Sequence, residues 1–198
     1  MQASNVTINL NGYYIAAKYY GIYMNGRHNV EIRNGTIRNC GSIGIYEADS
    51  GFASGNSHRV INVRVVNNKG AGIYLAGSNH IVKDCTVSNN EAQGIVAGSD
   101  SIISGTTVRS NGTNGITTYL GSTVIGNTAY NNGAYGIYAS SGCTVKNNTA
   151  HHNQAYGIAL DDHNLVDGNT AYDNNQSGGS YTNISSCPTC VFGVNVAP

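Results

Sequence analysis

The chain has 198 residues, ten basic and ten acidic side chains that cancel, and only 10% of its positions charged. That length suits one domain, and the charge balance excludes recognition of nucleic acid or an anionic membrane surface by bulk charge. Twenty-six Gly against two Pro and no Trp exclude an ordinary helical or α/β domain, and no apolar run approaches the roughly 20 residues of a membrane span.

Residues 5–12, NVTINLNG, alternate like a strand. The four residues before them are no signal peptide, so a chain that opens directly on a strand is expected to be processed or truncated. Gly-Ile then recurs at Gly21, Gly44, Gly72, Gly94, Gly115, Gly136 and Gly157, at intervals of 23, 28, 22, 21, 21 and 21 residues. Seven residues before Gly44, Gly72, Gly94, Gly115, Gly136 and Gly157, and before Gly178 one further period on, stands a small apolar residue: Ile37, Val65, Val87, Val108, Ala129, Ala150 and Ala171. Within one period, Val124, Ala129 and Ile137-x-Ala139 mark three strand-length pieces separated by Gly or Asn. No helix of ten residues fits. Three short strands and three turns in such a period make one coil of a parallel β-helix, which is an all-β solenoid.

The columns of this repeat have a physical reading. Asn68, Asn90, Asn111, Asn132, Asn153 and Asn174 fall one per coil, where their amides can bond along the axis at the strand spacing of about 4.8 Å. Asn also tolerates the left-handed conformation of a sharp turn. Thr86, Thr107, Thr128, Thr149 and Thr170 form a second column, and Asn127, Asn148 and Asn169 a third. The Ile after each Gly is expected to point inward. A coil cannot bury its apolar side alone but can do so on a like neighbour. Lys69 and Glu91, and Lys146 and Asp167, are spaced to pair across successive coils.

Function on a solenoid is sought where the repeat breaks. The 28-residue interval holds an insertion loop, 47–58, in which Glu47, Asp49, Phe52 and His58 offer two carboxylates, an aromatic ring and an imidazole for a cation or a sugar. Alternatively it is a solvated insertion with no ligand, since loop length costs little. Further along, Arg109, Tyr130, His151 and Tyr172 share one face, one per coil, and Tyr135 and Tyr156 stand beside a turn. Tyr23, Tyr46, Tyr74 and Tyr138 take the outward position after the Ile. Exposed phenol rings suit a glycan groove, although aromatic columns also stabilise a β-helix without a ligand. His151 and His152, as neighbours on a strand, are expected to point to opposite faces.

Asp161-Asp162-His163 replaces the small residues of other coils. Adjacent carboxylates beside a His can bind Ca²⁺ or act as an acid/base group, with Tyr138 near by register; the alternative is a plain polar turn. Five cysteines are an odd count. Cys40, Cys85 and Cys143 fall in different columns, whereas Cys187 and Cys190 are read as a local disulfide in the tail, which fits an extracytoplasmic setting. No residues are assigned to a metal, and Ca²⁺ is the one cofactor considered. The coils are expected over 1–175 and a C-terminal cap over 176–198.

The array, with "NVTINLNGYYI" and "HNVEIRNGTIRNCGSIGIY" at its start, resembles the right-handed parallel β-helix proteins of the pectate-lyase-like superfamily, in particular secreted bacterial members. The resemblance covers the whole chain and implies a right-handed single-stranded solenoid of about eight coils. That superfamily includes pectate lyases, polygalacturonases, alginate lyases and epimerases, tailspikes and non-catalytic proteins, so the fold does not decide among them. In the epimerases and related lyases an acidic-plus-His cluster with a Tyr abstracts an α-proton, which would fall here to Asp161, Asp162, His163 and Tyr138. The Arg and the repeated carboxylates of pectate lyases are missing. The leading expectation is a non-catalytic, carbohydrate-interacting β-helix, extracellular, periplasmic or on the cell surface. The alternatives are a lyase or epimerase of uronate polymers and a structural solenoid. A polysaccharide is the expected partner, with end-to-end self-association possible and neither nucleic acid nor membrane.

Overall fold

The computed structural model describes residues 3–47, 54–179 and 182–198. Every regular element among them is a β-strand, and every strand pair is parallel. Seven short strands, from Ile22–Tyr23 through Ile45–Glu47, Ile73–Leu75, Ile95–Ala97, Ile116–Thr118 and Ile137–Ala139 to Ile158–Leu160, form one sheet. They pair Ile on Ile from coil to coil. The larger, fifteen-stranded sheet takes the rest of each coil. Its early strands Glu31–Arg38 and Arg59–Val66 run unbroken through a bend; from residue 81 onward each becomes two, as in Ile81–Lys83 and Thr86–Ser88. The result is a parallel β-helix of about eight coils, the all-β solenoid expected from the period.

The inward residue of each Gly-Ile strand is fully buried at Ile45, Ile73, Ile95, Ile116, Ile137 and Ile158. Facing them, the slot filled by Ile37, Val65, Val87 and Val108 narrows to Ala129, Ala150 and Ala171, all at 0% exposure. The core therefore tapers toward the C-terminal end. Burial of apolar side chains that no single coil can hide is what joins the coils.

The Asn columns are hydrogen-bonded ladders. Asn132 Nδ2 donates to Asn153 Oδ1 at 3.0 Å and to the Val108 carbonyl at 3.3 Å, while its Oδ1 accepts from the backbone and side-chain nitrogens of Asn111. A second ladder runs Asn127, Asn148, Asn169. The ladder residues do not themselves occupy the left-handed region. That task falls one residue earlier, to Asn67, Asn89, Ser110, Asn131, His152 and Asp173, with φ between 50° and 58°. Reversing the chain there swings the next side chain inward, where its amide replaces the missing strand partners.

The ladder also explains the glycine of Gly-Ile. A Cβ on Gly115 would lie 2.7 Å from Asn132 Nδ2 and 2.6 Å from the Gly136 carbonyl oxygen, and Gly94 and Gly136 meet the same obstacles one coil away. Gly and Asn are thus two halves of one contact.

The three free cysteines, Cys40, Cys85 and Cys143, are buried at inward turn positions. Cys40 and Cys143 take the place of a ladder residue, each donating its backbone N–H to an Asn Oδ1 on the next coil. Lys69 pairs with Glu91, and Lys146 with Asp167 at 3.3 Å.

The tail continues the winding although its motif has decayed. Ile184 bridges Ile158, Val191–Phe192 pairs with Leu165–Asp167, and Val196 bridges Thr170. Asn183 and Asn195 receive the last amides of the two ladders, from Asn174 and Asn169. The disulfide Cys187–Cys190, with Cα atoms 5.3 Å apart, closes the turn between them.

Candidate functional site

In the insertion, Glu47 and His58 come together inside the coil. Both are at 0% exposure, and Glu47 takes the inward position that Leu75 holds one coil on. Its Oε1 accepts the backbone N–H groups of Gly26 and Gly55 at 2.8 Å each, and Oε2 lies 3.5 Å from His58 Nε2. Burial pushes this carboxyl up, but the adjacent His58 ring and the N–H bonds from Gly55 and Gly26 outweigh it and hold the group below its ordinary value. His58 stacks on His80, ring centroids 5.2 Å apart, and the Nδ1 of each accepts a backbone N–H, from Val30 and His58 respectively. The proton of each neutral ring therefore sits on Nε2. Glu47 and His58 thus face the core rather than a ligand. Asp49 and Phe52 lie outside the described residues.

This buried column is acid-sensitive. Burial, then the neighbouring His58, pushes the His80 imidazole down to about 4 from 6.5. Between those values the unfolded chain binds more protons than the folded one, so stability falls as pH falls. At about 1.4 kcal/mol per pH unit, the loss approaches ~3 kcal/mol by pH 4. Urea midpoints at pH 7 and pH 4.5 check this: the native chain should lose stability on acidification, and His80→Ser, matching Ser101 and Ser122 in the same column, should lose markedly less. Equal losses would contradict it.

On the larger sheet, Tyr130, His151 and Tyr172 form a self-stacked column. Their centroids are 4.9 and 5.0 Å apart and their planes within 9°. Both faces of His151 and the inner faces of Tyr130 and Tyr172 are covered, so the column offers no flat platform for a sugar between its members. Arg109 continues it in register. His151 and His152 converge rather than diverge, with Nδ1 atoms 2.8 Å apart, because His152 is left-handed (φ 54°). Burial, and then His152, hold His151 below the usual imidazole value. Among the described residues no group of three or more His, Cys, Asp or Glu side chains is placed to hold a metal ion.

The outer face of the smaller sheet is different. In register along the axis stand Tyr23, Tyr46, Tyr74, Val96, Thr117, Tyr138 and Ala159. Tyr23 and Tyr46 stack at 5.4 Å, Tyr20 leans across both, and Tyr74 meets Tyr46 edge-on at 5.8 Å. The ladder then breaks at Val96 and Thr117. The gap is a cavity of about 230 Å³ lined by Tyr74, Ala76, Val96, Gly98, Ser99 and Tyr119, several times the roughly 30 Å³ share of a liquid water. Its floor is low by necessity: a Cβ on Gly98 would lie 1.6 Å from the Gly77 carbonyl oxygen. Tyr119, 47% exposed, forms a wall. Beyond it the rings resume, with Tyr135 flanked by Tyr138 at 6.2 Å and Tyr156 at 5.8 Å.

At that end Tyr138 Oη donates to Asp161 Oδ2 at 2.6 Å. This bond, and then burial, push the phenol up to about 12, so it is a proton donor and not a base at neutral pH. Asp162 turns to the tail, where Thr189 Oγ1 donates to its Oδ1 at 3.1 Å, and His163 is exposed, its backbone N–H bound to the same hydroxyl. Of Asp161, Asp162, His163 and Tyr138, the structure joins only Asp161 and Tyr138 directly. The Cys187 and Cys190 sulfurs pack at 3.0 and 3.2 Å against the Asp161 carbonyl, which fixes this turn. Sequence reasoning missed Val96, Gly98, Ser99 and Tyr119. The available signal was the lack of Tyr at 96 and 117 between Tyr74 and Tyr138 in the same column.

The chain matches the model of the right-handed beta helix region over residues 2–123 and 52–192. No curated protein matches it by sequence. Among solved structures, a mutant of the periplasmic alginate epimerase AlgG superposes with a TM-score of 0.78 at 18% identity, over 93% of this chain and 50% of that one. Pectate lyase Pel9A gives 0.58 at 13% identity, over 85% and 56%. The A-module of a mannuronan C-5 epimerase of Azotobacter vinelandii gives 0.58 at 16%, over 96% and 68%. The chain thus spans about half the length of the first two, and at these identities the likeness is one of fold.

Proposed function

We propose, from the premise that the chain belongs to the right-handed beta helix family, that it binds carbohydrate on the outer face of its smaller sheet, at the break in the tyrosine ladder. The observation that carries this reading is the cavity between Tyr74 and Tyr119. On the larger sheet Tyr130, His151 and Tyr172 spend their faces on one another; here the column drops two rings and leaves a pocket walled by phenols. Phenol faces take the C–H side of a pyranose while small polar groups orient its hydroxyls. The solved structures of similar fold, an alginate epimerase and a pectate lyase by name, are consistent with a polysaccharide partner. An extracytoplasmic setting belongs to the same proposal and is supported by the Cys187–Cys190 disulfide. No helix of the described residues is long and apolar enough to cross a membrane.

Titration with immobilised polysaccharides tests the proposal. Tyr119→Ala should weaken binding by about tenfold or more, roughly 1.4 kcal/mol, as for a central aromatic anchor. Tyr172→Ala, in the self-stacked column of the larger sheet, should leave it unchanged. The reverse pattern would move the site to the other sheet.

A second reading, acid/base chemistry on a uronate chain, is favoured by the 2.6 Å contact of Tyr138 with Asp161: the phenol would donate a proton while the carboxylate orients it. Unsaturated product that vanishes in Asp161→Asn would establish it.

A further inference from the structure

We infer that the groove on the smaller sheet selects neutral glycans and discriminates against uronate polymers; this rests on the carbohydrate-binding reading above and names its ligand class. The inference comes from how charge is divided between the two sheets. The strands of the larger sheet carry Arg33, Arg38, Arg59, Arg64, Lys83, Arg109 and Lys146, whereas among the described residues no strand of the smaller sheet contains a Lys or Arg. The smaller sheet's one charged strand residue is Glu47, which is buried.

None of the six side chains lining the cavity is ionisable as a cation. In sequence the adjoining charge is acidic, and the base in the turn column of Gly98, Arg27, stands three coils back through Gly77 and Gly55. Asp100 follows Ser99 directly and is exposed. Asp161 stands in the same turn column as Tyr119, two coils on by the backbone bonds Ser140 N to Thr118 O and Asp161 N to Ala139 O, or about 10 Å at the strand spacing.

A uronate carboxylate entering such a groove would leave water without the guanidinium fork or ammonium that normally receives it, and within the field of two fixed carboxylates. A neutral pyranose meets no such penalty. Its apolar face lies against Tyr74 or Tyr119, and its hydroxyls can donate to Ser99 and to the neighbouring carboxylates, which are strong acceptors when ionised.

Calorimetric titration with cellotetraose, mannotetraose, maltotetraose and tetragalacturonate tests this. Repeating it at about 10 mM and about 1 M NaCl, where the screening length is about 30 and about 3 Å, separates the charge effect. We expect at least one neutral tetrasaccharide to bind with little dependence on salt, and tetragalacturonate to bind about tenfold or more weakly than it at low salt. Ser99→Lys, which sets a cation in the lining, should recover uronate binding at low salt and lose it again at high salt. Tetragalacturonate binding as well as or better than every neutral sugar, lost in Tyr119→Ala, would overturn the selectivity and leave the groove standing. Failure of all four sugars to bind would overturn the groove itself, and the selectivity with it.

Discussion

Asn132→Ala should cost the protein about 3–5 kcal/mol in urea unfolding, far more than its size warrants. The side chain sits at 0% exposure and makes four hydrogen bonds in both directions along the axis. Truncation leaves the Asn111 backbone N–H buried without a partner, at about 1–3 kcal/mol, and strips one bond each from the Val108 carbonyl, which keeps its strand partner, and from Asn153 Oδ1. It also opens a small void between coils. Asn132→Asp separates these causes. It keeps the volume, but it turns an acceptor toward the Val108 carbonyl and Asn153 Oδ1, so it should be no better than Ala. Gln154→Ala, an exposed side chain in a neighbouring turn, should change stability by less than about 0.5 kcal/mol. An Asp variant as stable as the native chain would show that shape, not hydrogen-bond direction, sets the ladder's contribution.

That ladder was legible in the sequence, because an axial contact repeats with the period of the coil. Gly-Ile, the Asn columns and the Lys69–Glu91 and Lys146–Asp167 pairs could all be read by counting 21 or 22 residues. The coupling of Gly115 to Asn132 could not, since it depends on a Cβ that is absent. Glu47 and His58 were legible as polar residues in an insertion but not as buried ones. Their burial depends on the Gly26 and Gly55 N–H groups turning inward to meet a carboxylate, and composition does not record direction. His152 escaped for a related reason, since a left-handed residue breaks the alternation that sends neighbouring side chains apart. In the tail, Gly-Ile vanished while the structural parts persisted: Asn183 and Asn195 still close the ladders although nothing around them repeats. The candidate site was half visible. Tyr23, Tyr46, Tyr74 and Tyr138 identify an outward aromatic column, but a binding gap is written in what Val96 and Thr117 lack. Which rings already cover one another is a matter of side-chain angle and not of spacing.

Glycan binding by Val96→Tyr is therefore the measurement to make. Val96 lies in register between Tyr74 and Thr117, and a phenol there would extend the ladder into the cavity. Val96 is only 3% exposed, so a stack on Tyr74 worth up to about 1 kcal/mol is set against about 1–3 kcal/mol of overpacking, and the protein should melt at or somewhat below the native temperature. The added ring should also occupy the space a sugar needs. Calorimetry on the native and Val96→Tyr proteins, with melting followed on the same samples, then has two clear outcomes. Loss of saccharide binding by about a hundredfold or more, about 2.7 kcal/mol, in a protein that still melts cooperatively, would make the broken ladder the binding site. Undiminished binding in a folded Val96→Tyr protein would contradict it, and would return the tyrosines of this face to the role their partners already play, packing one coil on the next.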